Sequence, residues 1–146
     1  GAAGLGHQLG WPPRERRALV LAGLVHDVGW AVMLDGEPRA GEHAHATDHL
    51  LGLRGPLSAP ATAAVRAHHE RWDGQGGPLG LVGDEIPPLA RALAVADWAD
   101  AVTRRRPLPA PAAAQALAQA AGAALDPALV RAWLALNARR DDGWSA

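Results

Sequence analysis

Six of the seven histidines in this chain fall into three short elements: His26-Asp27, the cluster His43/His45/His49, and His68-His69-Glu70. Asp97 joins them from an apolar run, Leu93-Ala94-Val95-Ala96. Imidazole and carboxylate together are the ligand set for first-row ions such as Fe, Mn, Ni or Zn. Two such ions bridged by a carboxylate would hold a phosphodiester, acidify a bound water, and stabilise both the attacking and the leaving oxygen. Adjacent ligands at a helix end suit this chemistry because each pair fans two side chains into one pocket. His45 and His49, four apart on a predicted helix, share a face in the way metal pairs do. Each element also has a plain reading: a chance dipeptide for His26-Asp27, a solvated helix end for His68-His69, a polar face for His45 and His49. His7 reads as a surface residue. Asp97 is harder to set aside, since a carboxylate on an apolar helix is costly without a cation or metal beside it.

The elements that position these residues are all helical. Pro12 and Pro13 suit the first turn of a helix over residues 14–25, which is apolar nearly all round in its later half and therefore predicted to be central and buried. It ends near His26-Asp27-Val28-Gly29, with Gly29 as the stop. A second helix is predicted after Gly41, carrying His43, His45 and His49 towards Leu50-Leu51. Pro56 and Pro60 bracket a turn before a third helix over 61–69, which runs into the loop Trp72-Asp73-Gly74-Gln75-Gly76-Gly77-Pro78. Pro87-Pro88 opens a fourth over 89–102, with Asp97 and Asp100 three apart on one side. An Ala-rich helix follows the prolines at 107–111. Asp126 is the expected N-cap, and Pro127 the first residue, of a last helix running to Ala138. No strand or repeat is evident. The reading is a single all-α domain over 1–146 with a loose polar tail, 139–146.

Composition excludes several classes. At 146 residues the chain is long enough for one real core. Its formal net charge of −1 argues against DNA as a partner, which would require a phosphate-neutralising surplus. The absence of cysteine removes disulfides, zinc thiolates and thiol nucleophiles together. No apolar run approaches the roughly 18 residues of a membrane span, and no signal-peptide pattern opens the chain, so a soluble, cytoplasmic domain away from the membrane is expected. All 14 cations are arginine, with no lysine, phenylalanine or tyrosine, the mark of a GC-rich coding sequence. In such a sequence a lost lysine should most readily become arginine.

The motifs carry a resemblance. Leu24-Val25-His26-Asp27-Val28-Gly29 resembles the HD motif. The run from His68-His69-Glu70 through Asp73-Gly74 to Gly76-Gly77-Pro78 resembles the HD-GYP signature. Gly80-Leu81, Ile86-Pro87, Ala90-Arg91, Val95-Ala96-Asp97, Asp100-Ala101, Arg106-Pro107 and Leu125-Asp126-Pro127 follow in that family's order over nearly the whole chain. The resemblance is to the HD-GYP branch of the HD superfamily of metal-dependent phosphohydrolases. It implies an HD-domain helical bundle holding two transition-metal ions, iron or manganese by preference, with nickel or zinc also fitting the ligands. It also implies cyclic di-GMP, or a related nucleotide phosphodiester, as substrate. Carried over by position, the ligands would be His26, Asp27, His43, His68, His69 and Asp97. Asp27 would bridge the ions, and His26 with Asp27 would form the catalytic pair. His45 is the alternative to His43. Arg106 would meet a substrate phosphate, and Asp73, Gly74 and Gly76 would shape the substrate-side turn. A fused or interacting signalling domain and a homodimer are the expected partners.

The chain departs from the family at chemically meaningful points. Trp30 stands where the family has the lysine after Gly29, and a phosphate there would lose a cationic partner. Gly77 replaces the tyrosine of GYP, and Pro109 a further basic residue. The loop between Asp27 and His43 is shorter than the family's. The family's first metal histidine lies on a helix upstream of the Leu9-Gly10 match, and His7 is too close to Gly10 to replace it. Either the chain is a fragment missing that first helix, or the first site lacks one ligand. The alternative function is therefore a degenerate, non-catalytic signalling module that still binds nucleotide or metal. A purely structural helical domain is the third reading.

Overall fold

The computed structural model describes residues 2–29, 46, 47, 49, 50, 57–105 and 107–142, with the backbone alone for 105 and 139–142. Predicted features that fall on His43, His45, Trp30 and Arg106 lie outside the described residues. Among the described residues six helices can be bounded, in order α1 Ala2–Gln8, α2 Pro13–Val25, α3 Ala59–Ala67, α4 Pro88–Asp100, α5 Ala110–Ala120 and α6 Pro127–Asp142, and residues 46, 47, 49 and 50 are helical too. A 3-10 turn spans Gly83–Glu85, and a π-helical turn over Ala101–Arg105 extends α4. There is no strand among the described residues.

Proline starts the helices here. α2, α3, α4 and α5 each carry proline within the first two positions, where its missing N–H costs nothing and its φ is already helical. α3 accordingly begins at Ala59, with Pro60 inside its first turn and not in the turn before it. Asp126 caps α6: one carboxylate oxygen accepts from the backbone N–H groups of Ala128 and Leu129 at 2.8 and 3.2 Å. Its other oxygen accepts from Arg91 at 3.0 Å, tying α4 to the start of α6. α6 continues to Asp142, past the end expected at Ala138, so residues 139–142 are helical where a loose tail was expected. Alanine and arginine, which recur through α6, are good helix formers.

The central helix is α4, not α2. Leu89, Ala92, Leu93, Val95 and Ala99 of α4 are buried against Ala18, Leu19 and Ala22 of α2 and Ala61, Ala64 and Val65 of α3. Leu117, Leu129, Val130 and Trp133 close the other side, and Leu5 comes in from α1. Small residues at the crossings let the helices approach closely. α2 buries one face only; Leu24 on the opposite face is 77% exposed. An all-round apolar helix was read as buried, but α1, α3 and α4 all meet it from one side. This arrangement brings the C-terminal ends of α2 and α3 together beside the middle of α4.

Candidate metal centre

His26 is the C-cap of α2, its N–H bonded to the Ala22 carbonyl at 2.9 Å. Its ring Nδ1 lies 3.0 Å from the Gly23 carbonyl. A carbonyl can only accept, so Nδ1 carries the proton and Nε2 presents a lone pair, the tautomer a metal ligand needs. That Nε2 is buried without a hydrogen bond. It faces Asp27 at 3.5 Å and Asp97, from α4, at 3.6 Å. Thr47, fully buried, locks the turn: its hydroxyl donates to the His26 carbonyl at 2.9 Å and accepts from the Gly29 N–H at 2.8 Å.

His68 repeats the device at the end of α3. It is the C-cap and 3% exposed, and its Nδ1 donates to the Val65 carbonyl at 2.7 Å. Its ring meets that of His26 edge-on, centroids 5.1 Å apart, and lies 4.0 Å from that of His69. Ligand atoms of His26, Asp27 and His68 all fall within 4.8 Å of one another. Ligands held about 2.0–2.2 Å from a first-row ion stand roughly 3–3.6 Å from their neighbours and about 4 Å from a ligand opposite. The spacings at His26 match the first figure, and the wider span to His68 suits a site that closes slightly or shares its carboxylate between ions. The donor set fits a metal centre, and the residues that would hold it are His26, Asp27 and His68, with Asp97 beside His26.

The electrostatics agree. Burial pushes the His26 imidazole pKa down, but the adjacent Asp97 carboxylate, the charge of Asp27 and the Gly23 carbonyl outweigh it, and the pKa is raised. A site that draws a proton onto its central imidazole is one that favours positive charge. Asp27, with its side chain 41% exposed, forms the mouth.

The loop after His69 fastens the histidine pair from outside. Glu70, 3% exposed, accepts the backbone N–H groups of Leu79 and Leu81 on its two oxygens. Gly77 N–H donates to the His69 carbonyl at 3.3 Å. Gly76 packs so closely that a Cβ there would overlap the Arg71 amide and lie 2.6 Å from the His69 carbonyl oxygen. Gly74 adopts φ +77° against Val82. Asp73 forms a two-point pair with Arg71, at 3.0 and 2.6 Å, and accepts from the Gln75 N–H. The Arg71 guanidinium holds the Asp73 carboxyl below its ordinary pKa. Asp73, Gly74 and Gly76 were expected on the substrate side; what their geometry accounts for is building this turn.

Sequence reasoning thus named the residues that converge, but gave no role to Thr47, Glu70 or Arg91. Glu70 stood inside the quoted motif. Its signal was its position directly after two candidate ligands. His7 is exposed and bonded to Arg16 at 3.0 Å, as a surface residue.

Fold and site together define a helical domain that gathers histidine and aspartate into a cluster able to hold a metal ion. The chain belongs to the HD-domain family, whose profile matches residues 37–129. Its HD-GYP signature agrees with the relatives it resembles. It is 45% identical over 89 residues to a probable cyclic di-GMP phosphodiesterase of Vibrio cholerae serotype O1, covering 53% of this chain and 20% of that one. A second cyclic di-GMP phosphodiesterase of that organism is 34% identical over 137 residues, covering 90% and 27%. The chain therefore spans under a third of the length of these relatives. The crystal structure of a cyclic GMP-AMP-specific phosphodiesterase from V. cholerae matches with a TM-score of 0.76 at 19% identity, covering 99% of this chain and 44% of that one. At that identity the likeness is one of fold. No helix among the described residues is long and apolar enough to cross a membrane.

Proposed function

We propose that this domain is a metal-dependent phosphodiesterase acting on a cyclic dinucleotide, cyclic di-GMP or a cyclic GMP-AMP. The observation that carries the reading is the cluster of two imidazoles, each with its proton held by a backbone carbonyl, with the Asp27 carboxylate, and with Asp97 beside His26. The relatives' activities point the same way. By the family resemblance the ions would be two, iron or manganese, and His26, Asp27, Asp97, His68 and His69 would hold them. His43 is the proposed further ligand, and Arg106 a proposed phosphate contact. When bound, the ions would polarise the phosphodiester and acidify the attacking water.

The chain's own residues do the rest. The Gly23 and Val65 carbonyls orient the two rings, Thr47 holds the turn that carries His26 and Asp27, and the Glu70 buckle holds the backbone of His68-His69. A cytoplasmic location, a fused or partner signalling domain and a homodimer belong to the same proposal. Metal-loaded protein incubated with cyclic di-GMP is expected to release the linear dinucleotide. No turnover with either manganese or iron would sink the proposal for this chain. Trp30 and Gly77, where the family has lysine and tyrosine, favour a second reading, a nucleotide-binding module without turnover. Binding without product would select it.

A further inference from the structure

A groove of about 630 Å³ opens between α2 and α4. The metal-ligand candidates His26, Asp27 and Asp97 line it, Leu24 forms an apolar wall, and Asp100 and Arg104 continue along the α4 side. Arg104 stands on the π-helical turn Ala101–Arg105 that extends α4. π turns recur at functional sites. Thr103 secures the turn by donating to the Ala99 carbonyl at 2.7 Å. Arg104 reaches back one turn, placing Nε 3.0 Å from Asp100, with side chains 80% and 43% exposed. An exposed pair of this kind contributes little to stability and exchanges readily for a better anion. A phosphate is such an anion, because the guanidinium fork meets two of its oxygens at once.

The other formally charged side chains lining this groove are anionic. Asp27, Asp97 and Asp100 line it, and bound ions would answer one phosphate only. A cyclic dinucleotide carries two phosphodiesters separated by a ribose. The bond from Arg104 to Asp100 puts its guanidinium at the level of Asp100, about one helical turn, roughly 5 Å, from Asp97. That is the scale of the gap between phosphates linked through one sugar. Trp30 brings no charge to the position after Gly29, and among the residues lining this groove Arg104 is the one cation. We propose that Arg104 binds the phosphate that is not being cleaved, and so selects two-phosphate cyclic dinucleotides over single phosphodiesters. This inference rests on the cyclic-dinucleotide reading above.

The test compares metal-loaded wild type, Arg104→Ala and Arg104→Lys. Cyclic di-GMP binding is measured by calorimetry, and its turnover is set against that of bis(p-nitrophenyl) phosphate, a single phosphodiester. Arg104→Ala should weaken cyclic di-GMP binding about tenfold, the scale of one charge-assisted contact, with Arg104→Lys recovering part of it. The preference for cyclic di-GMP over the single diester should fall by a similar factor. Equal cyclic di-GMP binding in wild type and Arg104→Ala overturns the inference, and wild-type turnover would then leave the phosphodiesterase reading standing. Arg104-dependent binding without linear product supports the inference and removes the phosphodiesterase reading. No cyclic di-GMP binding by wild type overturns both.

Discussion

The Nε2 atom of His26 stands 3.6 Å from the carboxylate of Asp97, two groups from different helices that meet inside the bundle. With Asp27 at 3.5 Å on the same nitrogen, the imidazole is enclosed by two anions and makes no hydrogen bond to either. In water such an arrangement would relax to shorter contacts. Here α2 and α4 are fixed by the packing of Leu19, Ala22 and Leu93, and the spacing is one that a cation between the ligands would satisfy.

Metal binding should therefore stabilise the fold. Protein loaded with manganese is expected to melt at a higher temperature than chelator-treated protein, by an amount that grows with metal concentration. A hundredfold excess over the dissociation constant would contribute about 2.7 kcal/mol. Asp97→Ala and His68→Ala should each lower bound metal, read by elemental analysis, and shrink that increment. An increment unchanged in both variants would show that the metal sits elsewhere.

The raised pKa of His26 sets a sign for the pH response. Without metal, a folded-state pKa above the unfolded value means that the protonated ring adds stability. That contribution is fully present below the ordinary imidazole pKa and lost as pH rises through the raised one. Metal requires the neutral ring, so its affinity should run the opposite way, strengthening as pH rises through the same window. Melting curves in chelator and in manganese should thus diverge with increasing pH near neutrality, and metal binding should release protons to the buffer. His26→Gln should reduce the divergence, the remainder coming from the other imidazole ligands, and a divergence unchanged in that variant would show that His26 is not a coupled group.

Glu70 offers a prediction that reaches the site without touching the metal. Glu70→Ala leaves the N–H groups of Leu79 and Leu81 without their acceptor, at about 1–3 kcal/mol for each donor that water does not reach. Glu70→Gln keeps one carbonyl acceptor and should lose about half as much. Both should weaken metal binding as well as lowering the melting temperature, because the same loop holds the backbone of His69. If metal affinity is untouched while stability falls, the loop is a structural strap only.

That His26, Asp27, His68 and Asp97 would be neighbours was legible in the sequence because chemistry is carried by residue type and motif order. Helix starts were legible from proline and Asp126, whose effects are local. Three things were not. The burial of α2 was misread because apolarity all round a helix says nothing about which neighbours cover it, and Leu24 faces outward. The roles of Thr47 and Glu70 depend on backbone groups brought near by folding, which no periodicity encodes. Gly76 reads as one glycine among several until the His69 carbonyl is seen against it.

Gly76 and its neighbour Gly77 make a paired test of that last point. A Cβ at Gly76 meets the backbone at Arg71 and His69, which cannot swing aside as a side chain would. Gly76→Ala should destabilise by about 1–3 kcal/mol or more, as overpacking does, and should loosen the histidine pair, lowering bound metal in step. At Gly77 an added Cβ meets nothing within 4 Å, and its N–H bond to the His69 carbonyl survives the change. Gly77→Ala should therefore stay within about 0.5 kcal/mol of the parent by denaturant melt. The two glycines are adjacent and chemically identical, so a difference between the variants isolates the close approach to the metal-bearing backbone. Equal effects would mean that the loop yields as a whole and that Gly76 does not fasten His69.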